Sequence, residues 1–322
     1  MTVSVIIPVF NAEFTIRDAL ASVAAQTWRD FEVIVVDDAS TDRTAEEARK
    51  ALAGFEHAHL LQLDHNSGPA RARNRGIEKA TGEWLAFLDG DDRWLPERLA
   101  IQLALAQQRP EVPMFCSITV EEVEETPRGS NHTCGAGDGP AIPVRILTLA
   151  DFRIFNPVVT STVLVRRSVV QELGGFDETL RGPEDFDLWM RIAARHPIVQ
   201  IERGLAFYRE AAGSLSSDDR TFLPQIMRLI RKAYGPGGVF ANCRDGRKAR
   251  AYHLLSCAWM AANRGAPGRA LWLLGRSLAW WPFSFRPALE LPWGRTKVLA
   301  YIARTLVGGR TAGPMPVRER QA

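Results

Sequence analysis

No stretch of this 322-residue chain approaches the roughly 18 consecutive apolar residues that a membrane-spanning helix needs. Its first residues, Thr2-Val3-Ser4-Val5-Ile6-Ile7-Pro8-Val9, carry no basic n-region and no small-residue cleavage site, so they read as a strand rather than a signal peptide. The four cysteines, Cys116, Cys134, Cys243 and Cys257, contain no C-x-x-C pair. That speaks against a zinc site and a disulfide framework, and it fits a reducing cytoplasm, where the Asn131-His132-Thr133 sequon would be accidental. The six histidines form no H-E-x-x-H and no close ligand pair, so a histidine metal centre is not expected. No internal repeat is visible; residues 249–280 suggest a helical hairpin, and one pair does not make a solenoid.

What is abundant is charge, unevenly placed. The net charge of +3 conceals a split: from Arg220 onward there are 18 Lys and Arg against 3 Asp and Glu, whereas the first 219 residues hold 22 against 34. An acidic body of residues 1–219 therefore precedes a basic, Trp-rich region of residues 220–322, and the length accommodates one large α/β domain with such an appendage, or two domains.

The most informative stretch is Trp84-Leu85-Ala86-Phe87-Leu88-Asp89-Gly90-Asp91-Asp92. An apolar run ends in three carboxylates within four residues. The run reads as a buried strand. Three crowded acids repel one another unless a cation sits among them, and hard carboxylate oxygens suit Mg²⁺ or Mn²⁺. A divalent ion held by few protein oxygens keeps positions open for phosphates. The bland alternative is a solvated acidic turn ahead of a helix with Pro96 in its first turn.

The surrounding pattern supports a site. Residues 3–9, 31–37, 58–63 and 83–88 read as near-continuously apolar strands, and 13–26, 41–53 and 68–80 as the helices between them. That alternation predicts a parallel sheet covered on both faces, with ligands at the carboxyl ends of the strands. Asn11, Asp37-Asp38 and Asp89-Gly90-Asp91-Asp92 all fall at such ends. Beyond them, 96–109 reads as a helix and 113–120 as a strand. The interval 121–150 reads as a long Glu-, Gly- and Pro-rich loop, of a length that is often functional. Strands near 163–165 and 198–208 enclose helices at 168–173 and from Glu184 to about 195.

These motifs, in this order, carry a family resemblance. Ser4-Val5-Ile6-Ile7-Pro8-Val9-Phe10-Asn11, Glu32-Val33-Ile34-Val35-Val36-Asp37-Asp38-Ala39-Ser40-Thr41-Asp42, Phe87-Leu88-Asp89-Gly90-Asp91-Asp92, Gly174-Gly175-Phe176-Asp177-Glu178 and Glu184-Asp185-Phe186-Asp187-Leu188-Trp189 resemble family 2 glycosyltransferases of the GT-A fold, over about residues 2–215. The resemblance implies a Rossmann-like, mostly parallel α/β sheet with a C-terminal helical extension. It implies inverting transfer of a sugar from a nucleotide diphosphate, usually a UDP-sugar, to a hydroxyl of a glycan or lipid-linked acceptor, as in cell-surface polysaccharide synthesis. Pro8, Phe10 and Asn11 would line the donor site. Asp37 and Asp38 would reach the nucleobase, Asp38 more directly, because a carboxylate accepts the imide N–H of uracil. Asp89, beside Gly90, would hold the ribose hydroxyls. Asp91 would ligate the metal, with Asp92 as the competing assignment. Gly68 would let the backbone approach the donor at a helix start. Arg71 would contact the nucleotide, while Arg73 and Arg75 are expected in structural ion pairs. Arg209, ahead of Gly213-Ser214-Leu215-Ser216, would cover the diphosphate; Glu210-Ala211-Ala212 stands where the family often has His, which weakens a second-ligand role for that loop. Asp185 would be the general base, and Glu184 would bind acceptor or sugar hydroxyls.

Other readings compete. Asp89-x-Asp91 also suggests a metal-dependent phosphotransferase of the haloacid-dehalogenase type, with Asp89 as nucleophile; Arg93 stands where those carry Thr or Val, and their motif lies on the first strand. A nucleotidyltransferase would need a basic Gly-rich loop after the first strand, which is absent. An inactive nucleotide-sugar-binding module should show a broken acidic motif, and this one is intact. In the basic region, Leu271, Leu274, Leu278 and Trp281 recur at helical spacing with Arg269 and Arg276 largely on another face. Leu299, Ile302 and Leu306 repeat this against Lys297 and Arg304. With Trp272, Trp280 and Trp293, they suit an anionic membrane surface, which would be the cytoplasmic face of an inner membrane. The competing account packs these helices on the catalytic body or on a second subunit of a homo-oligomer. The basic residues form no nucleic-acid reader motif, so nucleic acid is not expected as a partner.

Overall fold

The structure, a computed structural model, describes residues 1–121, 142–209, 218–283, 285 and 294–308. The expected Gly213-Ser214-Leu215-Ser216 segment, most of the 121–150 interval, Cys134 and Trp293 lie outside the described residues, as do the side chains of Ile302, Arg304 and Leu306.

The described chain divides into two compact units. The first comprises Met1–Ala150, Pro157–Thr179 and Glu184–Ala211; the second comprises Asp151–Asn156, Leu180–Pro183 and Ala212–Ala322. In the first, β1 (Val3–Val9), β2 (Phe31–Asp37), β3 (Ala58–Gln62) and β4 (Trp84–Phe87) run parallel, with β1 between β2 and β4. All seven residues of β1 are buried, so both its faces are covered and the sequence shows no alternation. The sheet continues through β8 (Leu164–Arg166), β6 (Met114–Glu121), β9 (Ile198–Tyr208) and β5 (Arg93–Trp94), with β7 (Val144–Leu147) also paired to β9. β8 is antiparallel to both β4 and β6, so β6 and β9 run with the first four, and only β5, β7 and β8 oppose them. The sheet is mostly parallel, as expected. The 121–150 loop needs correction, since β7 lies within it, and β5 follows the acidic run with two residues too few to pattern.

The intervening helices are α1 (Ile16–Ala24), α2 (Thr44–Leu52), α3 (Pro69–Lys79) and α4 (Arg98–Gln108), then α5 (Arg167–Glu172) and α6 (Glu184–Ala193). α1 buries Ile16, Ala19, Leu20 and Val23, one face at helical spacing. α1 and α2 start three residues later than the pattern suggests because their leading residues cross-link. Ala12 N–H donates to Thr44 Oγ1 at 2.7 Å, and Glu13 N–H donates to Asp42 Oδ2 at 3.2 Å. This locks the β1 and β2 exits to each other.

The second unit holds α7 (Asp219–Tyr234), α8 (Gly246–Asn263), α9 (Pro267–Trp280) and α10 (Gly294–Gly308). The expected hairpin is α8 and α9. Alanines at 251, 258, 261 and 262 make α8 slim enough for close packing, and Ser277 Oγ donates to Ala251 O at 2.7 Å. Buried Asp219 accepts from Arg264 at 2.6 Å and Arg269 at 3.0 Å, tying α7 to the hairpin. The apolar face of α9 is not the one expected. It buries Ala270, Leu273, Leu274 and Ser277, while Leu271 and Leu278 are exposed at 43% and 41%. Arg269 and Arg276 both stack on Trp272, at 4.8 and 4.9 Å, beside that outer apolar strip rather than away from it. Among the described residues no helix is long and apolar enough to cross a membrane.

Candidate active site

The carboxyl ends of β2, β1 and β4 are neighbours, and the polar residues that follow them are woven together. Asn11 takes a left-handed backbone (φ 50°); its N–H donates to Ser40 Oγ at 2.9 Å, and its Oδ1 accepts the Thr41 N–H at 2.9 Å. Pro8 is buried within β1, and Phe10 beyond it is 47% exposed, a ring available to stack on a planar ligand. Asp37 accepts Ser40 N–H at 3.0 Å and Gln62 Nε2 at 3.3 Å. Asp38 is buried, and its two oxygens accept the Ser67 and Gly68 N–H groups, each at 2.7 Å. Gly68 has φ 92°, a region that side-chain-bearing residues rarely enter, and Pro69 then starts α3. Asp38 thus fixes the turn expected to approach the donor.

The acidic run is sorted by its neighbours. Gly90 is required by packing, because a Cβ there would lie 2.7 Å from Val9 Cγ1. Asp92 is buried; Oδ2 accepts Ser161 Oγ–H at 2.5 Å, and Oδ1 accepts the Arg209 N–H at 2.9 Å. Burial, with Asp89 adding repulsion, pushes the Asp92 carboxyl up to about 8. Asp91 is half-buried and also pushed up, by burial first and by Asp89 next; among the described residues only its own backbone N–H is bonded to it. The Asp89 N–H donates to Ser161 Oγ at 3.0 Å.

Arg73 joins this run to the acids of α6. Its guanidinium is buried, with Nη2 2.6 Å from Asp89 Oδ1 and Nη1 2.7 Å from Glu184 Oε1, over the Phe176 ring at 5.5 Å. The two carboxylates outweigh its desolvation and hold its pKa above the ordinary arginine value. Arg73 is in structural ion pairs, as expected, but those pairs join the two acidic motifs, which sequence spacing alone does not reveal. Asn74, one residue on, clasps the Gly-Gly-Phe segment: Oδ1 accepts Phe176 N–H and Nδ2 donates to Phe176 O, both at 2.9 Å. Arg71 is 47% exposed and pairs with Glu178 at 3.5 Å.

Glu184 and Asp185 open α6, where the positive helix end favours acids. Asp185 accepts Thr160 Oγ1–H on Oδ2 at 2.9 Å and Phe186 N–H on Oδ1 at 2.6 Å. Burial, with Glu184 adding repulsion, pushes Asp185 up to about 7. Arg209 sits at the end of β9, tied to Asp92 through its N–H, with its guanidinium 3.8 Å from Asp18. Thr160 and Ser161, in the 3₁₀ turn Thr160–Thr162, were not expected as site residues. A Thr-Ser-Thr stretch in sequence carries no signal for it.

Among the described residues no cluster of three or more His, Cys, Asp or Glu side chains is arranged to hold a metal ion. The acidic run nonetheless fits a divalent cation of the phosphate-bound kind. Asp91 carries hard carboxylate oxygens whose ionisation is disfavoured by burial and by Asp89, so a cation there would be stabilising. Such an ion takes its remaining ligands from water and phosphate oxygens.

Relatives bear on this geometry. An uncharacterized glycosyltransferase of Rickettsia conorii is 32% identical over 214 residues, which is 66% of this chain and 33% of the relative. The chain thus spans about a third of that protein's length. A Bacillus subtilis glycosyltransferase named for teichuronic acid biosynthesis, TuaG, is 38% identical over 125 residues, 39% of this chain and 50% of the relative. Among solved structures, Staphylococcus aureus TarS 1–349 in complex with UDP-GlcNAc superposes with a TM-score of 0.59 at 20% identity, covering 96% of this chain and 93% of that one. The Pyrobaculum calidifontis mannosyltransferase PcManGT, in complex with GDP-Man and Mn²⁺, gives 0.58 at 20% identity, covering 96% and 88%. These likenesses establish the GT-A fold. The model of glycosyl transferase family 2 matches residues 4–174, which carry the β1, β2 and β4 exits, the Gly68 turn and the acidic run, and the chain belongs to that family.

Proposed function

We propose that this chain is a metal-dependent, inverting glycosyltransferase that moves a sugar from a nucleotide diphosphate, a UDP-sugar, to a hydroxyl of a glycan or lipid-linked acceptor in cell-surface polysaccharide synthesis. The observation that carries the reading is buried Arg73, which ties the donor-side acid Asp89 to Glu184 beside Asp185. The TarS complex with UDP-GlcNAc, the PcManGT complex with GDP-Man and the TuaG relationship support the donor class and the pathway. The catalytic domain is residues 1–219, and residues 220–322 are its basic helical extension.

In this reading Phe10, Asn11, Asp37 and Asp38 bind the nucleoside with Pro8 shaping the strand exit, and Asp89 holds the ribose. Gly68 and Arg71 face the diphosphate, and Arg209 covers it. Asp91 is the better metal ligand, because the oxygens of Asp92 already accept from Ser161 and Arg209. Asp91 would hold Mg²⁺ or Mn²⁺, which when bound would neutralise charge on the departing diphosphate. Inversion needs one in-line displacement. The acceptor hydroxyl attacks the anomeric carbon opposite the leaving diphosphate, and its proton passes to the Asp185 carboxylate as the bond forms. A carboxyl pushed up to about 7 suits that task, because it is a stronger base than an ordinary aspartate and still partly ionised at neutral pH. Glu184 binds acceptor or sugar hydroxyls.

The outer strip of Leu271, Trp272 and Leu278, flanked by Arg269 and Arg276, supports peripheral attachment to an anionic membrane, on the cytoplasmic face of an inner membrane where a lipid-linked acceptor would lie. The competing role for this strip is a homo-oligomer contact.

The test starts from a screen of nucleotide sugars for thermal stabilisation with Mn²⁺. On the donor it selects, Asp185→Asn should bind with nearly unchanged affinity and lose ~10²–10⁴-fold in turnover. Near-normal turnover would move the base to Glu184 or Asp187.

A further inference from the structure

The turn Thr160–Thr162 is held from one side and used from the other. Three carbonyls in succession are each capped by a buried side chain from the segment that follows the acidic run. Trp94 Nε1 donates to Ser161 O at 2.8 Å, Gln102 Nε2 to Thr162 O at 2.9 Å, and Arg98 Nη2 to Val163 O at 2.9 Å. Arg98 and Gln102 lie one helical turn apart on α4, so both reach the same backbone stretch. Arg98 is fully buried and faces the Trp94 ring at 3.9 Å; among the described residues its Nε and Nη1 have no hydrogen-bond partner, and burial pushes its pKa down. A buried guanidinium compensated by one hydrogen bond and one ring contact costs stability, and an apolar residue of similar volume would avoid that cost. That guanidinium is the group that caps Val163 O, so it holds the stretch that follows the turn.

On the other side of the turn, two adjacent hydroxyls reach the two acidic motifs. Thr160 Oγ1 donates to Asp185 Oδ2 at 2.9 Å. Ser161 Oγ donates to Asp92 Oδ2 at 2.5 Å and accepts the Asp89 N–H at 3.0 Å. In-line displacement puts the base and the leaving group on opposite sides of the anomeric carbon, and a misplacement of about 1 Å costs roughly 10²-fold in rate.

We propose that Thr160 and Ser161 are positioning residues which, clamped by Trp94, Arg98 and Gln102, fix the spacing between the donor-side acidic turn and the Asp185 carboxylate. Ser161 acts on donor binding through Asp89 and Asp92, and Thr160 acts on turnover through Asp185. The Thr160 half rests on the reading of Asp185 as the base.

The experiment compares Thr160→Val, Thr160→Ala, Thr160→Ser, Ser161→Ala, Asp185→Asn and the double variant Thr160→Val/Asp185→Asn. UDP binding is measured by calorimetry in Mn²⁺, and turnover by UDP release from the nucleotide sugar that best stabilises the wild type. Thr160→Val should leave UDP affinity unchanged and lower kcat by up to roughly a hundredfold, the scale of a misplaced base. Thr160→Ser should restore kcat. Ser161→Ala should weaken UDP binding roughly tenfold. Asp185 is also faced by Glu184 and Arg73, which the Thr160 variants leave in place. The hydroxyl stabilises the ionised carboxylate, so its loss should move the acid limb of the pH–rate profile to higher pH. The double variant should lose no more than Asp185→Asn alone. Urea melts check folding, and if Thr160→Val fails to fold, Thr160→Ala reads the same losses. Equal loss of UDP affinity in the Thr160 and Ser161 variants, or multiplied losses in the double variant, would overturn the bridge while leaving the base in place. Near-normal turnover by Asp185→Asn would overturn the base and the Thr160 half together.

Discussion

Arg73 is the residue on which the first unit's site should depend most heavily, and Arg73→Met tests that dependence. Methionine keeps the length and helix preference of the side chain and deletes only the guanidinium. In the folded protein Asp89 and Glu184 would then face each other without a cation, at positions where Glu184 is 3% and Asp89 32% exposed. Removing one partner of a buried pair costs about 3–5 kcal/mol. Asp89 is partly solvated, so the lower end of that range is expected. Against a total of ~5–15 kcal/mol for an ordinary domain, the loss is large. Arg71→Met is the internal control. It breaks an ion pair of 3.5 Å between groups 47% and 42% exposed. Such a pair is worth about 0–1 kcal/mol. Urea unfolding of both variants, followed by tryptophan fluorescence, reads the difference as a shift in midpoint at constant slope. Arg73→Lys should fall near Arg73→Met, because one ammonium cannot reach two carboxylates in the fork geometry of a guanidinium. If Arg73→Met and Arg71→Met shift the midpoint equally, Arg73 is not the bridge described here.

Three further outcomes follow from the same geometry. Asp91→Asn should weaken UDP binding in Mn²⁺ strongly, and wild-type UDP affinity that is equal in chelator and in Mn²⁺ would remove the metal from the mechanism. Asp92 and Asp185 sit at about 8 and 7 when folded, above about 3.9 when unfolded, so the native state holds extra protons and stability should fall as pH rises from about 6.5 to 8.5. Below that window His253, buried and pushed down to about 4, opposes the trend, and a melting temperature that rises from pH 6.5 to 8.5 would contradict these environments. The full chain should co-sediment with anionic vesicles at low salt and less at high salt, with Trp272→Ala weakening the binding; no binding at low salt would make the α9 strip a structural or subunit contact.

The parts of this structure that were legible in the sequence are those set by local pattern. β1, β2 and β4 are apolar throughout because both faces are buried, and runs of Val and Ile show that directly. The Gly68-Pro69 pair and the Glu184-Asp185 pair mark helix starts by backbone and dipole effects that act within a turn. What was hidden depends on distant pairing. β5 and β7 exist because β9 offers them edges, not because Arg93-Trp94 or Val144-Arg145-Ile146-Leu147 would form strands alone. The covered face of α9 differs from the expected one because Leu271 and Leu274 are indistinguishable by type, and the packing against α8 decides which is covered. By type Arg73 is one arginine among three on α3, and its importance lies in reaching across 111 positions to Glu184.

The acids of this site are also mostly structural groups, and that affects how any substitution must be read. Asp38 closes the Gly68 turn, Asp92 anchors the Ser161 turn and the end of β9, and Asp89 takes half of the Arg73 bridge. Replacing any of these removes hydrogen bonds from buried backbone or side-chain donors, at about 1–3 kcal/mol each, before a ligand is considered. Loss of activity in such variants cannot separate binding from folding. Asp91 differs, because among the described residues the only group bonded to its carboxylate is its own backbone N–H, and its ionisation is disfavoured in the free protein. Removing its charge should not destabilise the fold, and relief of repulsion with Asp89 should offset part of any packing loss. Asp91→Asn therefore separates ligand chemistry from structure: a variant that melts no lower than the wild type yet fails to bind UDP in Mn²⁺ assigns the loss to the missing charge.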